Sequence, residues 1–145
     1  MGLHHSRFAL PGDAFGERMP SMDRPRLTLA TVVLDCQDGN ALADFYSQLL
    51  GWEVTFREPD WALMRSPDGG TGLAFQSERW YRPPVWPEVD GQQTKMSHLD
   101  IQVDDLDAAV AHATSVGARV ADSQPLEHVR VLLDPAGHPF CLFVD

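Results

Sequence analysis

The sequence predicts an α+β fold made of two tandem βαβββ modules, whose curved mixed sheets enclose a cavity. Two similar segments start the two halves: residues 29–38 read LATVVLDCQD and residues 96–105 read MSHLDIQVDD. A helical pattern that stops at a glycine follows each segment, and each half carries a Pro-Gly turn, PDGG at 67–70 and DPAG at 134–137. Such repeats pack as one body, and the sheet faces that the helices leave uncovered are free to line a cavity.

The chain of 145 residues is 43% hydrophobic, which is enough for one compact domain. Modules of about fifty residues are marginal alone, so the two are expected to share a core. Residues 1–26 show no sustained periodicity and are predicted to form a loose N-terminal arm, of which residues 1–22 are expected to be dispensable for folding. Residues 27–145 then form a single domain, with modules at 27–76 and 96–145 joined by a linker at 77–95.

The first module begins with alternating apolar and β-branched residues at 27–36, which predict a strand. Asp38 suits a helix N-cap, and apolar residues then recur at the spacing of one helical face until Gly51 ends the helix. Turn-forming residues separate three further predicted strands, at 52–56, 61–65 and 71–76.

The second module repeats this order. A strand is predicted at 97–103, a cap at Asp104 or Asp105, and a helix that ends before Gly117. Its remaining strands are predicted at 118–121, 128–133 and 140–144. The linker is too rich in proline for regular structure and too aromatic for an idle tether, so we expect it to pack on the domain.

Composition and missing motifs exclude several classes of function. The formal net charge of −10 disfavours nucleic acid and anionic membranes as partners. No apolar run is long enough for a membrane span or a secretory signal, so a cytoplasmic location is expected, with Cys36 and Cys141 as reduced thiols. Motifs for nucleophilic hydrolysis, nucleotide binding and zinc proteolysis are absent from the sequence.

Several short motifs run through residues 27–145: DFY at 44–46, LLGW at 49–52, HLD at 98–100, DDLD at 104–107 and LDPAGHPFCL at 133–142. In this combination the chain resembles the vicinal oxygen chelate superfamily, which includes glyoxalase I, bleomycin-resistance proteins and extradiol dioxygenases. The resemblance implies the glyoxalase/bleomycin resistance/dioxygenase fold, with residues 27–145 as one glyoxalase-like domain. It does not indicate a substrate, because this fold hosts several chemistries.

The resemblance also implies where a metal would bind. Metal-dependent relatives have ligands early on the first strand, late on the fourth, early on the fifth and on the eighth, and the corresponding positions here are Thr31, Gln76, His98 and Cys141. A catalytic divalent ion usually has three protein ligands. Only His98 is a good one, since Gln76 is weak and a terminal-strand thiol is more often a small buried apolar group. The metal site is expected to be incomplete, so no cofactor is expected, and a divalent metal is the alternative.

Strand alternation places His98 and Asp100 on the face opposite the apolar residues that would meet the helix, so His98 is expected to face the cavity. It is the candidate catalytic residue, with a hydrogen-bonded structural histidine as the alternative. Aromatic side chains of the linker can close the mouth of the cavity around a flat ligand, although core packing is the alternative role for each. The candidate ligand-binding residues are Thr31, Gln76, Trp80, Trp86, His98, Asp100 and Phe143.

Two functions remain open from the sequence. One is a metal-independent small-molecule-binding protein, similar to the bleomycin-resistance group, that holds an apolar or aromatic ligand. The other is a glyoxalase-like lyase, isomerase or dioxygenase that uses His98 with or without a divalent metal. A homodimer is expected as well, because proteins of this resemblance commonly pair and exposed sheet edges gain by being covered.

Overall fold

The computed structural model describes residues 24–145, and this part of the chain has the element order that the sequence predicts. The first module contains β1 (Thr31–Cys36), α1 (Gly39–Leu50), β2 (Val54–Glu58), β3 (Trp61–Met64) and β4 (Gly72–Ser77). The second contains β5 (Leu99–Gln102), α2 (Leu106–Ser115), β6 (Arg119–Val120), β7 (Val129–Leu133) and β8 (Pro139–Phe143). Two βαβββ modules confirm the α+β fold class.

Each module folds into its own four-stranded mixed sheet. The strand order is β1-β4-β3-β2 in the first sheet and β5-β8-β7-β6 in the second. In both sheets the first strand of the module runs parallel to the last, and the other neighbours are antiparallel. Corresponding strands therefore occupy the same place in both sheets, and the repeat in the sequence is a repeat of topology.

The helices begin where short acidic side chains can cap them. Asp38 accepts a hydrogen bond from the backbone N–H of Ala41 at 3.1 Å, and Gly51 ends α1 in a left-handed conformation with φ of 71°. In the second module the cap is Asp105, whose carboxylate accepts from the backbone N–H of Ala108 at 3.0 Å. Both helix starts thus follow from the same local chemistry.

One hydrophobic core joins the two modules on the helix side of their sheets. The ring of Tyr46 on α1 stacks on Phe75 of β4, with ring centroids 5.4 Å apart. Phe45 and Tyr46 also contact Phe140 of β8 edge-on, at centroid distances of 6.1 and 6.2 Å. Because the core takes up this side of each sheet, the other faces are left for the linker, for ligands or for partners.

Several strand boundaries differ from the predictions because pairing, and not local pattern, ends a strand. β1 begins at Thr31 instead of residue 27, since Thr31 is the first residue with a partner, Gly72 on β4. Leu27 and Leu29 accordingly remain 82% and 71% exposed. Most of the predicted N-terminal arm, residues 1–23, lies outside the described residues. Neither helix within residues 24–145 is long and apolar enough to cross a membrane.

Candidate functional site

A cavity of about 430 Å³ opens between the linker and the first strands of the two modules. The linker contributes residues from both of its ends, including Trp80, Tyr81 and Lys95. β1 contributes the stretch 33–35, and β5 and β8 contribute their N-terminal ends. The wall therefore combines both modules with the segment that joins them.

His98 lies in this wall, directly before β5, whereas the sequence predicts it within a strand at 97–103. Its side chain is 22% exposed, and its Nε2 lies 3.0 Å from Oδ1 of Asp100. Asp100 is paired with Cys141 in the parallel register of β5 and β8, so the thiol lies beside the carboxylate. Nitrogen, oxygen and sulfur atoms of these three residues all lie within 4.8 Å of one another.

The chemistry of these three donors fits a zinc-type ion. Imidazole, carboxylate and thiolate are all zinc ligands, and three of them leave a position for water or substrate. Burial, together with the charge and hydrogen bond of Asp100, raises the pKa of the Cys141 thiol to about 12, so without a metal it remains protonated at neutral pH. A bound cation would favour the thiolate instead.

Gln76, the weak ligand candidate on the fourth strand, lies apart from this cluster. It lies at the end of β4 in the first sheet, where it lines a separate shallow depression with Phe56 and Trp61. The third residue of the cluster is Asp100, which the sequence indicated only as a ligand-binding residue. The residues that the structure brings together as possible metal ligands are therefore His98, Asp100 and Cys141.

The other predicted site residues divide between the cavity and its surroundings. Trp80 lines the cavity and is 80% exposed, with the guanidinium of Arg79 4.8 Å from its ring centroid. Trp86 and Phe143 pack against a small second hydrophobic cluster that contains Cys141. Thr31 lies at the start of β1, two residues before the stretch that reaches the cavity. The cavity thus brings together His98 and Trp80, but not Thr31, Gln76, Trp86 or Phe143.

A second polar cluster, which the sequence did not reveal, surrounds the buried carboxylate of Asp134. The hydroxyl of Tyr46 donates to its Oδ2 at 2.7 Å, and Nδ1 of His138 lies 2.7 Å from the same oxygen. Its Oδ1 accepts from the backbone N–H groups of Ala136 and His138 at 2.9 and 3.0 Å. A fully buried charge requires hydrogen-bond partners of this kind for both of its oxygens. The turn motif DPAGH at 134–138 was its sequence signal, but it indicated only a turn.

His138 connects this carboxylate to the cavity. Its Nε2 lies 2.7 Å from the backbone carbonyl oxygen of Asp35 and 3.3 Å from the hydroxyl of Tyr81. Burial acts to lower the pKa of His138, but the hydrogen bond and charge of Asp134, aided by Asp35, raise it above 6.5 overall. Burial and the charge of Asp134 also raise the pKa of both tyrosines, Tyr46 and Tyr81, so their hydroxyls remain neutral donors.

Comparison with known proteins agrees with this architecture. A family model described as a glyoxalase-like domain matches residues 31–143. A glyoxalase/dioxygenase from Nostoc punctiforme is 23% identical, with 88% of this chain and 95% of that chain covered and a TM-score of 0.59. A glyoxalase/bleomycin resistance protein/dioxygenase family enzyme from Burkholderia phytofirmans PsJN is 20% identical, with 81% and 98% covered and a TM-score of 0.59.

A possible glyoxalase from Bacillus cereus is 16% identical, with 81% of this chain and 99% of that chain covered and a TM-score of 0.60. No match is found among curated proteins. Similarity at these identities shows the fold alone. The family match, however, starts at the first residue of β1 and ends at the last residue of β8, so it spans both modules and every strand around the cavity. The chain belongs to the glyoxalase-like domain family of the vicinal oxygen chelate superfamily.

Proposed function

We propose that this protein binds a small organic molecule with a flat or apolar part in the cavity beside His98. The observation that carries the proposal is the position of His98, paired with Asp100 at 3.0 Å, in the wall of a cavity of about 430 Å³. Cavities of roughly 300 to 1,000 Å³ with a few convergent polar groups are typical of small-molecule sites.

The apolar side of the cavity supports the same conclusion. Trp80 and Met96 both line the cavity and are 80% and 87% exposed, which is unusual for side chains of this size. A flat ligand that covered the indole of Trp80 would remove apolar surface from water. His98 would then supply a polar contact that fixes the orientation of the ligand.

A ligand screen with matched variants tests this function. Aromatic carboxylates, phenols and aromatic amides are screened by saturation-transfer NMR against the wild type, His98→Ala, Trp80→Ala and His128→Ala. His128 is the control, because it is exposed and does not line the cavity. At least one class should bind, with affinity about tenfold lower in His98→Ala, as loss of one good polar contact implies, and unchanged in His128→Ala. Binding that survives both cavity substitutions would contradict the proposal.

The cluster of His98, Asp100 and Cys141 favours a second candidate, a metal-dependent glyoxalase-like lyase, isomerase or dioxygenase. A divalent ion held there would polarise a substrate oxygen or lower the pKa of a bound water. His98, Asp100 and Cys141 would supply the three protein ligands, and Asp100 contacts both of the other two residues.

Metal content separates the two candidates. The enzyme candidate requires one zinc or similar ion per chain after purification with supplemented metal, and a thiolate charge-transfer band after cobalt substitution. Cys141→Ser should abolish both signals, whereas Cys36→Ser, which removes the other buried thiol, should not. Failure of the wild type to retain any divalent ion after buffer exchange would eliminate this candidate and leave ligand binding without metal.

A further inference from the structure

Both ring nitrogens of His138 face hydrogen-bond acceptors. Nε2 lies 2.7 Å from the carbonyl oxygen of Asp35, and a carbonyl can only accept, so Nε2 carries a proton. Nδ1 lies 2.7 Å from Asp134, whose carboxylate already accepts from the hydroxyl of Tyr46 and from two backbone N–H groups. A carboxylate with so many donors is the ionised form, so Nδ1 also carries a proton. The geometry is therefore that of an imidazolium.

The linker is attached to the same turn. The hydroxyl of Tyr81 donates to the carbonyl oxygen of Ala136 at 2.8 Å, and its ring centroid lies 5.4 Å from that of His138. Two residues further on, Pro83 packs so closely on Gly137 that a Cβ there would lie 2.9 Å from the Pro83 Cβ. The first part of the linker, which forms one wall of the cavity, is thus held by the turn at 134–138.

His138 also joins three parts of the molecule around the cavity. Asp35 belongs to β1, Asp134 to the turn before β8, and Tyr81 to the linker. A neutral imidazole has one N–H, so after losing a proton His138 can donate to Asp134 or to Asp35 but not to both. The abandoned acceptor would lose its donor on the protein, and the ring beside Tyr81 would be fixed by one hydrogen bond fewer.

We propose that protonated His138 acts as a latch that holds the linker wall of the cavity against the turn at 134–138 and loosens this wall when the proton is lost. Any effect of the latch on ligand binding rests on the function proposed above, whereas the latch itself does not. The titratable groups in contact with His138 are Asp134 from the turn, Asp35 from β1 and Tyr81 from the linker, and Tyr46 of α1 shares the carboxylate of Asp134. The other ionisable side chains that line the same cavity are Glu78, Arg82, Lys95 and His98. Cys36 of β1 lies near Tyr81. Among His138 and the groups in contact with it, the imidazole is the one whose charge normally changes near neutral pH.

A pH series on the wild-type protein tests the latch without any ligand. NMR of ¹⁵N-labelled histidine should show both ring nitrogens of His138 protonated at pH 7 and a pKa above 6.5. Hydrogen exchange of linker amides, corrected for intrinsic rates, should lose protection on the order of tenfold across the same pKa, as loss of a hydrogen bond to a charged group implies. A single protonated nitrogen at pH 7, or linker protection that stays constant across the titration, would overturn the proposal.

A variant pair gives a second test. Glutamine at 138 keeps a donor but has no charge to lose, so His138→Gln should give low linker protection at every pH. His128→Gln should follow the wild type. If His138→Gln instead keeps the pH-dependent protection of the wild type, another group controls the linker and the latch is wrong. Neither experiment involves a ligand, so the latch can be correct even if the ligand screen finds nothing. Ligand binding can likewise be correct even if the latch is wrong.

Discussion

At the scale of single residues, the buried carboxylate of Asp134 is the group in the described chain that depends most on hydrogen-bond donors of the protein. Its side chain is 0% exposed, so each oxygen depends on protein donors for solvation. Those donors come from Tyr46 on α1 and from the turn that Asp134 itself begins. The contact between Tyr46 and Asp134 is therefore a polar link across the shared core.

Removing one donor should expose this dependence. Tyr46→Phe keeps the ring that stacks on Phe75 and deletes only the hydroxyl, so we expect a loss of about 1 to 3 kcal/mol in the free energy of unfolding. Urea denaturation measures it, with Tyr81→Phe as a less buried comparison that should cost less. A cost below about 0.5 kcal/mol for Tyr46→Phe would mean that the carboxylate is solvated in another way.

His138 should make stability depend on pH. Its pKa in the folded protein is raised above 6.5, so the stabilisation is fully present below that pH and is lost as the pH rises through the folded value. We expect the unfolding free energy of the wild type, measured relative to His138→Gln, to fall as the pH rises above 6.5 and through the folded pKa of His138. A difference that grows with increasing pH would have the wrong sign.

The two polar clusters differ in how far the sequence could predict them. His98 was identifiable from strand alternation, because the side chains of a strand point to alternate faces. The proximity of His98 to Cys141 was not identifiable from the sequence. It depends on the strand register that pairs Asp100 with Cys141, some forty residues later in the chain. Asp134 and His138 were visible only as a turn, because burial of the turn by Tyr46 and Tyr81 is a tertiary event.

At the scale of the elements, helix starts are set by local chemistry and should respond to single substitutions. Asp105 caps α2, whereas its neighbour Asp104 lies outside the cap. Asp105→Ala should therefore cost about 1 kcal/mol of unfolding free energy, and Asp104→Ala less than half of that. Equal costs, measured by urea denaturation, would show that acidic charge near the helix end matters and the cap hydrogen bond does not.

Element order and helix caps were predictable for the same reason, since hydrophobic periodicity and capping residues act over a few positions. Strand ends were not, because a residue with strand-like neighbours still needs a partner. Leu29 shows this: it continues the alternation of β1, yet the pairing of β1 with β4 begins two residues later, at Thr31. Local pattern therefore predicted which elements exist, and sheet pairing decided where they end.

At the scale of the whole molecule, the first sheet has an apolar row on the face away from α1. Val33, Ala74, Leu63 and Phe56 are register partners across its four strands. Val33 and Phe56 are 42% and 50% exposed. Exposed apolar side chains such as Val33 and Phe56 favour association, and we propose that a second copy of the chain covers this row. Ala74 within the row is already buried, and Val33 also lines the cavity.

Light scattering tests the dimer. A mass near twice 16.1 kDa is expected at micromolar concentration, and Phe56→Glu should shift it towards one chain. Gln48→Glu, on the exposed surface of α1, is the matched control and should leave the mass unchanged. A wild-type mass near 16.1 kDa would exclude the dimer.

Binding in the cavity beside His98 is tested most directly by where a bound compound changes the NMR spectrum. Titration of an aromatic compound found in the screen should shift the ring signals of His98 and the indole N–H of Trp80, which line the cavity. The indole N–H of Trp61 is the internal control, because it lies in the separate depression with Gln76. Saturable shifts at His98 and Trp80 alone are expected. Shifts confined to Trp61 would place the ligand in the separate depression and contradict the proposed function.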